Sequence, residues 1–264
     1  MQVDHSNRRA FTVAFVVCVV CAALVTTAAV LLRPIQQANR LLDRQLNVLA
    51  VAGLLEPGKS VDELSKQLDP RLVDIASGKF VELENLEHFD ERRAARNPAQ
   101  SIALTPKQDI AQIKRRANYA RVYLVWDQAG NLKTVVLPVH GYGLWSQLYG
   151  FLALESDGNT VAGLSFYEHA ETPGLGGKVD DPAWKALWPG KQVYDEEHRP
   201  AIRLVKGPAS ARSKDARYQV DALSGATLTT RGIEDLLRFW LGPDGFGPFL
   251  AKIRDDEEGK PNVL

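Results

Sequence analysis

The chain has 264 residues, room for one substantial domain with additions or for two modest ones. Lys and Arg together number 32 and so do Asp and Glu, giving a formal net charge of zero. No basic face speaks for nucleic acid, and that class of partner is set aside.

Residues 10–32, AFTVAFVVCVVCAALVTTAAVLL, carry no charge and end at Arg33-Pro34. At about 1.5 Å rise per residue the run covers roughly 35 Å, enough to cross a hydrocarbon core. Its length predicts an uncleaved transmembrane anchor rather than a secretory leader, whose apolar region is shorter. Thr26-Thr27-Ala28-Ala29 nonetheless looks like a cleavage region. Arg8 and Arg9 precede the span and Arg33, Arg40 and Arg44 follow it, so the positive-inside rule leaves the topology open. Both cysteines, Cys18 and Cys21, lie inside the span. Their spacing allows half a metal or cluster site, or contact with a partner helix. The plainer reading is two small hydrophobes, because zinc and cluster sites normally take four ligands. No cysteine is left elsewhere for a disulfide or a thiolate site.

After the anchor, 36-QQANRLLDRQLNVLAVAGLL-55 has apolar residues at helical spacing and predicts a helix that stops at Glu56-Pro57-Gly58. A short helix is expected at 61–68, strand material at 71–84 around a Ser-Gly turn, and a charged surface loop over 86–104. Thr105-Pro106, an N-cap followed by a first-turn proline, predicts a helix over 105–117. Runs rich in β-branched and aromatic residues follow at 119–127, 132–140, 148–155 and 160–168, with turns at Ala129-Gly130-Asn131 and Asp157-Gly158-Asn159. They predict a largely antiparallel sheet joined by hairpins. A strand over 217–223, helices near 230–241 and 245–254, and a solvated tail at 255–264 complete the chain. The fold class is α+β: one N-terminal transmembrane helix, a helical stalk, and an antiparallel-sheet domain. The order of strands then helices argues against a doubly wound nucleotide fold, and no G-x-G-x-x-G or Walker loop is present.

Three glycine-bearing loops interrupt this sheet. In 141-GYGLWSQLYG-150, Trp145 is either a core residue at a turn or an aromatic wall for a planar ligand. In 168-EHAETPGLGGK-178, Glu168, His169 and Glu171 suggest metal ligands but match no ligand spacing, so no metal is expected. Backbone donation from Thr172 to Gly177 suits a carbonyl-rich ring better, and a long strand connection is the structural reading. In 221-DALSGATLTT-230 the hydroxyls have no base beside them. Thr227 falls at a helix entrance, where orphan N–H groups and the positive dipole end favour a phosphate. Composition alone favours a plain turn there, with Thr229 or Thr230 as the helix N-cap.

Asp-Ala-Leu-Ser-Gly-Ala-Thr resembles the Asp-x-x-Ser/Thr-Gly-Ala-Thr acceptor motif of proteins that carry FMN through a phosphoester to threonine. In that family a flavin transferase splits FAD and places the FMN phosphate on the last threonine, which supplies the missing activation. Residues 44–55 (RQLNVLAVAGLL), 113–125 (IKRRAxxAxVYLV), 141–146 (GYGLWS) and 171–176 (ETPGLG) are similar to the family of C subunits of sodium-translocating NADH:quinone oxidoreductases. The related G subunit of Rnf-type complexes shares the anchor, ETPGLG and the acceptor motif, but lacks the region corresponding to 56–117.

The resemblance implies covalent FMN on Thr227, with Asp221, Ser224, Gly225 and Ala226 as recognition elements. It also implies ring contacts from Leu144, Trp145, Glu171, Thr172, Gly174 and Leu175. Redox chemistry would rest on the flavin, without a catalytic side chain, and no NADH site is expected on this chain. By the same resemblance, residues 1–9 are cytoplasmic, 10–32 span a bacterial inner membrane, 33–117 form the stalk and N-terminal periplasmic part, and 118–254 form the periplasmic FMN domain. The partners are the other members of a complex of six subunits that oxidises NADH, reduces ubiquinone and exports Na⁺. The alternatives are the Rnf-type G subunit, or an anchored periplasmic binding or assembly module without redox function.

Overall fold

The computed structural model describes residues 3–82, 89–207 and 214–257. Of the tail expected at 255–264, residues 258–264 lie outside those residues and 255–257 continue the last helix instead; 83–84 of the expected strand segment and 86–88 of the expected loop also lie outside. The chain divides into two units, Met1–Arg44 and Gln45–Leu264. The first is helical throughout its described residues and belongs to α1 (Val3–Val51), which is long and apolar enough to cross a membrane by length and composition. Cys18 and Cys21 are exposed on it, among exposed Val16, Val17, Val19 and Val20.

The second unit is built on one six-stranded antiparallel sheet. In chain order its elements are α2 (Val61–Ser65), β1 (Leu68–Asp74), β2 (Lys79–Val81), α3 (Glu91–Arg96), β3 (Ser101–Ala103), β4 (Arg115–Ala117), β5 (Tyr119–Trp126), β6 (Leu132–Tyr142), β7 (Gln147–Glu155) and β8 (Val161–Glu168). They continue with α4 (Pro182–Lys185), β9 (Arg203–Val205), β10 (Gln219–Asp221), α5 (Thr227–Leu241) and α6 (Gly247–Glu257). The sheet order is β2-β1-β5-β6-β7-β8. β9 and β10 form a separate parallel pair, and β3 and β4 an antiparallel one. Mixed α+β architecture with an antiparallel sheet is therefore what the chain adopts.

Period-two alternation sends the strands' apolar side chains to both faces. Leu148, Leu152 and Leu154 of β7 join Val135, Leu137 and Val139 of β6 under Ile233, Leu236, Leu237 and Trp240 of α5. Their neighbours Phe151 and Ala153, with Val125 and Val136, face Val48, Leu49 and Val51 of α1 and Ala52 just beyond it. Each such aliphatic or aromatic burial contributes about 1.5–3 kcal/mol. The last turns of α1 thus form one wall of the core. Gly163 of β8 lets them close in, since a Cβ there would stand 3.0 Å from the Val51 carbonyl oxygen, and Ser165 Oγ donates to Asn47 Oδ1 at 2.6 Å. The helix ends at Val51, earlier than the Glu56-Pro57 stop suggests, because Gly53 turns left-handed (φ 67°) and caps it.

Two sequence expectations are overturned. Residues 105–117 do not form a helix. One turn starts as predicted, with the Gln108 and Asp109 amides donating to the Thr105 carbonyl. The Asp109 carboxylate then takes the amides of Ile113 (2.7 Å) and Lys114 (2.8 Å), Gln112 and Lys114 turn left-handed, and 115–117 become strand β4. A short acceptor side chain has outcompeted the helical ladder. The surface loop expected over 86–104 contains α3 and β3, the helix N-capped by Asp90.

Helix α5 is seated against the end of β6. Trp240 Nε1 donates to the His140 carbonyl at 2.7 Å, and Gly232 lies so close to Tyr142 that a Cβ would run into its carbonyl oxygen. This contact brings the N-terminus of α5 beside the β6–β7 loop.

Candidate functional site

The acceptor turn follows β10. Asp221 is half-buried, and its carbonyl accepts from Trp184 Nε1 at 2.9 Å. Leu223 is buried, then Ser224 and Gly225 emerge at the surface, with Gly225 in the left-handed region (φ 79°) that favours glycine. The Ala226 amide closes the turn onto the Leu223 carbonyl at 3.1 Å. Ala226, rather than Thr229 or Thr230, is the N-cap of α5, and no side chain caps the helix.

Helical periodicity sorts the threonines. Thr227, the first helical residue, and Leu228 are exposed, whereas Thr229 and Thr230 are 1% and 6% exposed. Thr230 Oγ1 donates to the Ala226 carbonyl (2.9 Å) and accepts from the Leu223 amide (3.2 Å), locking the turn onto the helix. Thr229 Oγ1 donates to Glu171 Oε2 at 2.5 Å. In α-helical geometry the amides of Thr227, Leu228 and Thr229 have no carbonyl within the helix to bond, and the macrodipole is positive there. With an alanine in place of a capping Ser, Thr, Asp or Asn, this end is open to an anion.

The two other glycine loops converge on the same helix end. Glu171 Oε1 accepts from the backbone amides of Leu144 (2.9 Å) and Trp145 (3.1 Å). Trp145 Nε1 donates to Thr172 Oγ1 at 3.1 Å, and the Ala170 amide donates to Ser146 Oγ at 2.8 Å. Between these ties stand exposed apolar side chains: Leu144, Trp145 (64% exposed) and Leu175. Leu175 reaches the acceptor turn, since a Cβ on Gly225 would lie 3.1 Å from its Cδ2. Gly174 is left-handed (φ 77°), with open space around it.

Glu171 is only 5% exposed. Burial alone would raise its carboxyl, but the Thr229 hydroxyl and the amides of Leu144, Trp145 and Ser146 stabilise the anion and hold it below the usual carboxylate range. The carboxylate is therefore inside the loops, oriented toward their donors. Glu168 and His169, its neighbours, turn to other partners: Arg92 at 2.9 Å and Asp180 at 2.9 Å. His169 Nδ1 also accepts the Glu171 amide at 3.2 Å. Among the described residues, no group of His, Cys, Asp and Glu that could hold a metal is found.

The structure thus gathers Asp221, Ser224, Gly225, Ala226 and Thr227 in one turn, and Leu144, Trp145, Glu171, Thr172, Gly174 and Leu175 in two loops beside it. Sequence reasoning missed Thr229, which reads as a cap until its partner far back in the chain is known. It also missed Gly143 and Gly176. A Cβ on Gly143 would sit 2.6 Å from Glu171 Oε1, and one on Gly176 would sit 2.6 Å from Thr229 Oγ1.

An uncapped helix end presenting an exposed threonine, with an apolar, glycine-lined rim beside it, has the form of a site for a phosphate-bearing planar ligand. The family model described as "FMN-binding domain" matches residues 143–242, which run from Gly143 to the C-cap of α5 and take in the second and third loops and all but Gly141 and Tyr142 of the first. The chain therefore carries an FMN-binding domain.

The relatives narrow this class. The C subunit of the Na(+)-translocating NADH-quinone reductase from Pseudomonas aeruginosa is 52% identical, over 96% of this chain and 98% of its own length. Its counterpart from Yersinia pestis is 47% identical over 96% and 95%. The crystal structure of Shewanella oneidensis NqrC matches with a TM-score of 0.76 at 43% identity, covering 83% of this chain and 99% of that one. The chain belongs to the family of C subunits of Na(+)-translocating NADH-quinone reductases.

Proposed function

We propose that this chain is the covalent FMN-carrying electron-transfer subunit of a Na⁺-translocating NADH:quinone reductase, with FMN esterified to Thr227. The observation that carries this reading is exposed Thr227 at the first position of an uncapped helix, next to loops that present Leu144, Trp145 and Leu175 at the surface. The names of the relatives supply the complex: NADH oxidation, quinone reduction and Na⁺ translocation are said of them, and we extend them to this chain.

The residues present fit the group. In maturation the Thr227 oxygen would replace AMP on the FMN phosphorus of FAD, a separate flavin transferase taking up the hydroxyl proton. Among the described residues no base stands in hydrogen-bond contact with the Thr227 hydroxyl, and in this reading the transferase supplies the activation. The phosphoester's negative charge would lie against the first-turn amides of α5, with Ser224 Oγ as a further donor and Gly225 giving close approach. Leu144, Trp145 and Leu175 would flank the ring and exclude water. Bound FMN supplies the electron transfer, and the protein's part is to hold and tune it.

We further infer that α1 anchors the chain in a bacterial inner membrane, with residues 1–9 cytoplasmic, 10–32 spanning, and the FMN domain on the periplasmic side. In this reading 33–117 join the anchor to the flavin domain at 118–254, although β1 and β2 from the joining region pair into the sheet itself. The partners are the other members of a complex of six subunits. A tether suits a compartment in which a dissociated flavin would not be replaced. The reading is tested by co-producing the full chain with a flavin transferase and viewing a denaturing gel under blue light. A fluorescent band that disappears in Thr227→Ala supports it, and a dark wild-type band contradicts it.

A further inference from the structure

The carboxylate of Glu171 sits where three segments meet. Oε1 takes the amides of Leu144 and Trp145 from the β6–β7 loop, and Oε2 takes the hydroxyl of Thr229 from the first turn of α5. Its own loop is held by Thr172, which accepts from the Trp145 indole, and by the Glu171 amide on His169. Gly143 and Gly176 pack against the carboxylate from two sides, a Cβ at either falling 2.6–2.7 Å from one of its oxygens. A buried anion with every surrounding group shaped to it is far more than a strand connection requires. Thr229 lies two residues beyond the proposed attachment point, whereas Leu144 and Trp145 form the proposed ring wall.

We infer that Glu171 is a positioning residue for the flavin: through Thr229 it fixes the spacing between the anchor at Thr227 and the wall at Leu144–Trp145. The inference rests on the covalent-FMN reading. A phosphoester alone leaves the ring swinging on a flexible ribityl chain. Rigid walls at a fixed distance from the anchor would hold it in one pose, and the Glu171–Thr229 bond is a direct side-chain link between the first turn of the anchor helix and the wall.

The test uses the full chain in detergent, co-produced with a flavin transferase, as wild type, Glu171→Gln, Thr229→Val and Thr229→Ser. Intact mass reports whether FMN is attached. Visible circular dichroism and flavin fluorescence report whether the ring is held in an asymmetric site against Trp145. The expected result is that Thr229→Val and Glu171→Gln carry FMN in full but lose most of the visible circular dichroism and fluoresce more brightly. Thr229→Ser, which keeps the hydroxyl, stays like wild type. Thr229→Val with FMN attached and wild-type spectra would overturn the inference. So would an unfolded Thr229→Val, because the bond would then serve the fold and not the flavin. If Glu171→Gln alone fails to fold, Thr229→Val decides. A wild-type chain without added mass is a different result, and it would count against the covalent-FMN reading itself.

Discussion

Thr229, on the first turn of α5, donates its hydroxyl to the carboxylate of Glu171 at 2.5 Å, across a sequence separation of 58 residues. Removing that carboxylate leaves the Leu144 and Trp145 amides and the Thr229 hydroxyl with no acceptor. Glu171→Ala should therefore lower the stability of the domain by about 2–4 kcal/mol, read from denaturant or thermal unfolding. A loss near zero would show that the three donors find other partners.

The same carboxyl gives a pH dependence. Its folded-state pKa lies below its ordinary value of 4.5, so the unfolded chain binds the proton more readily. The stability it contributes is present above about pH 4.5 and is lost as the pH falls through the lowered value. Unfolding free energy measured from pH 5 downward should fall less steeply in Glu171→Gln than in wild type. Equal slopes would contradict the assignment.

His140 adds a second, higher window. It packs between Tyr149 and Trp240, with ring centroids 5.4 and 4.9 Å away, and burial, with a smaller effect of Arg92, pushes its imidazole down to about 4. Between its ordinary 6.5 and that value, the unfolded chain takes up a proton that the folded chain refuses. Stability should decline as pH drops across this window. His140→Gln should flatten the decline between pH 6.5 and 4, in unfolding curves taken at half-unit steps.

Gly232 sets how closely α5 approaches the end of β6. An alanine Cβ there would collide with the Tyr142 carbonyl oxygen and stand 3.0 Å from Gly143 Cα, both backbone groups that cannot rotate away. Gly232→Ala should destabilise by about 1–3 kcal/mol, despite alanine's better helix propensity. A stabilised variant would mean that the helix has room to shift.

Trp145 should behave in the opposite way. Its side chain is 64% exposed, so Trp145→Ala should change stability by no more than about 0.5 kcal/mol. In the flavin-loaded protein the same change should raise flavin fluorescence, by removing an aromatic face from beside the ring. Unchanged emission would place the ring elsewhere.

Much of this arrangement is legible in the sequence because it is local. Four runs rich in β-branched and aromatic residues between 119 and 168 announce the hairpins, and an Asp begins two of the three turns: Asp127 and Asp157 accept their own loop amides at 2.8–2.9 Å. Ser-Gly-Ala-Thr before an amphipathic run places Thr227 at a helix entrance. The failures come where a side chain reaches past its neighbours. Asp109 diverts residues 113 and 114 from a helix whose opening signals at Thr105 and Pro106 are genuine. Thr229 looks like a cap and is instead a core donor, because its acceptor stands in another loop. Glu171 reads as a metal ligand without a matching spacing or, by resemblance, as a ring contact, yet it is buried as the hub of three segments. No local pattern encodes those pairings, since they exist only after the sheet and α5 have packed.

Whether Thr227 holds FMN covalently is measured most directly by intact mass. The full chain co-produced with a flavin transferase should exceed its sequence mass by FMN less water, with the addition mapped to the peptide containing Thr227. Thr227→Ala should show the bare sequence mass. A wild-type chain of bare mass, or an addition that survives in Thr227→Ala, would contradict covalent attachment at this residue.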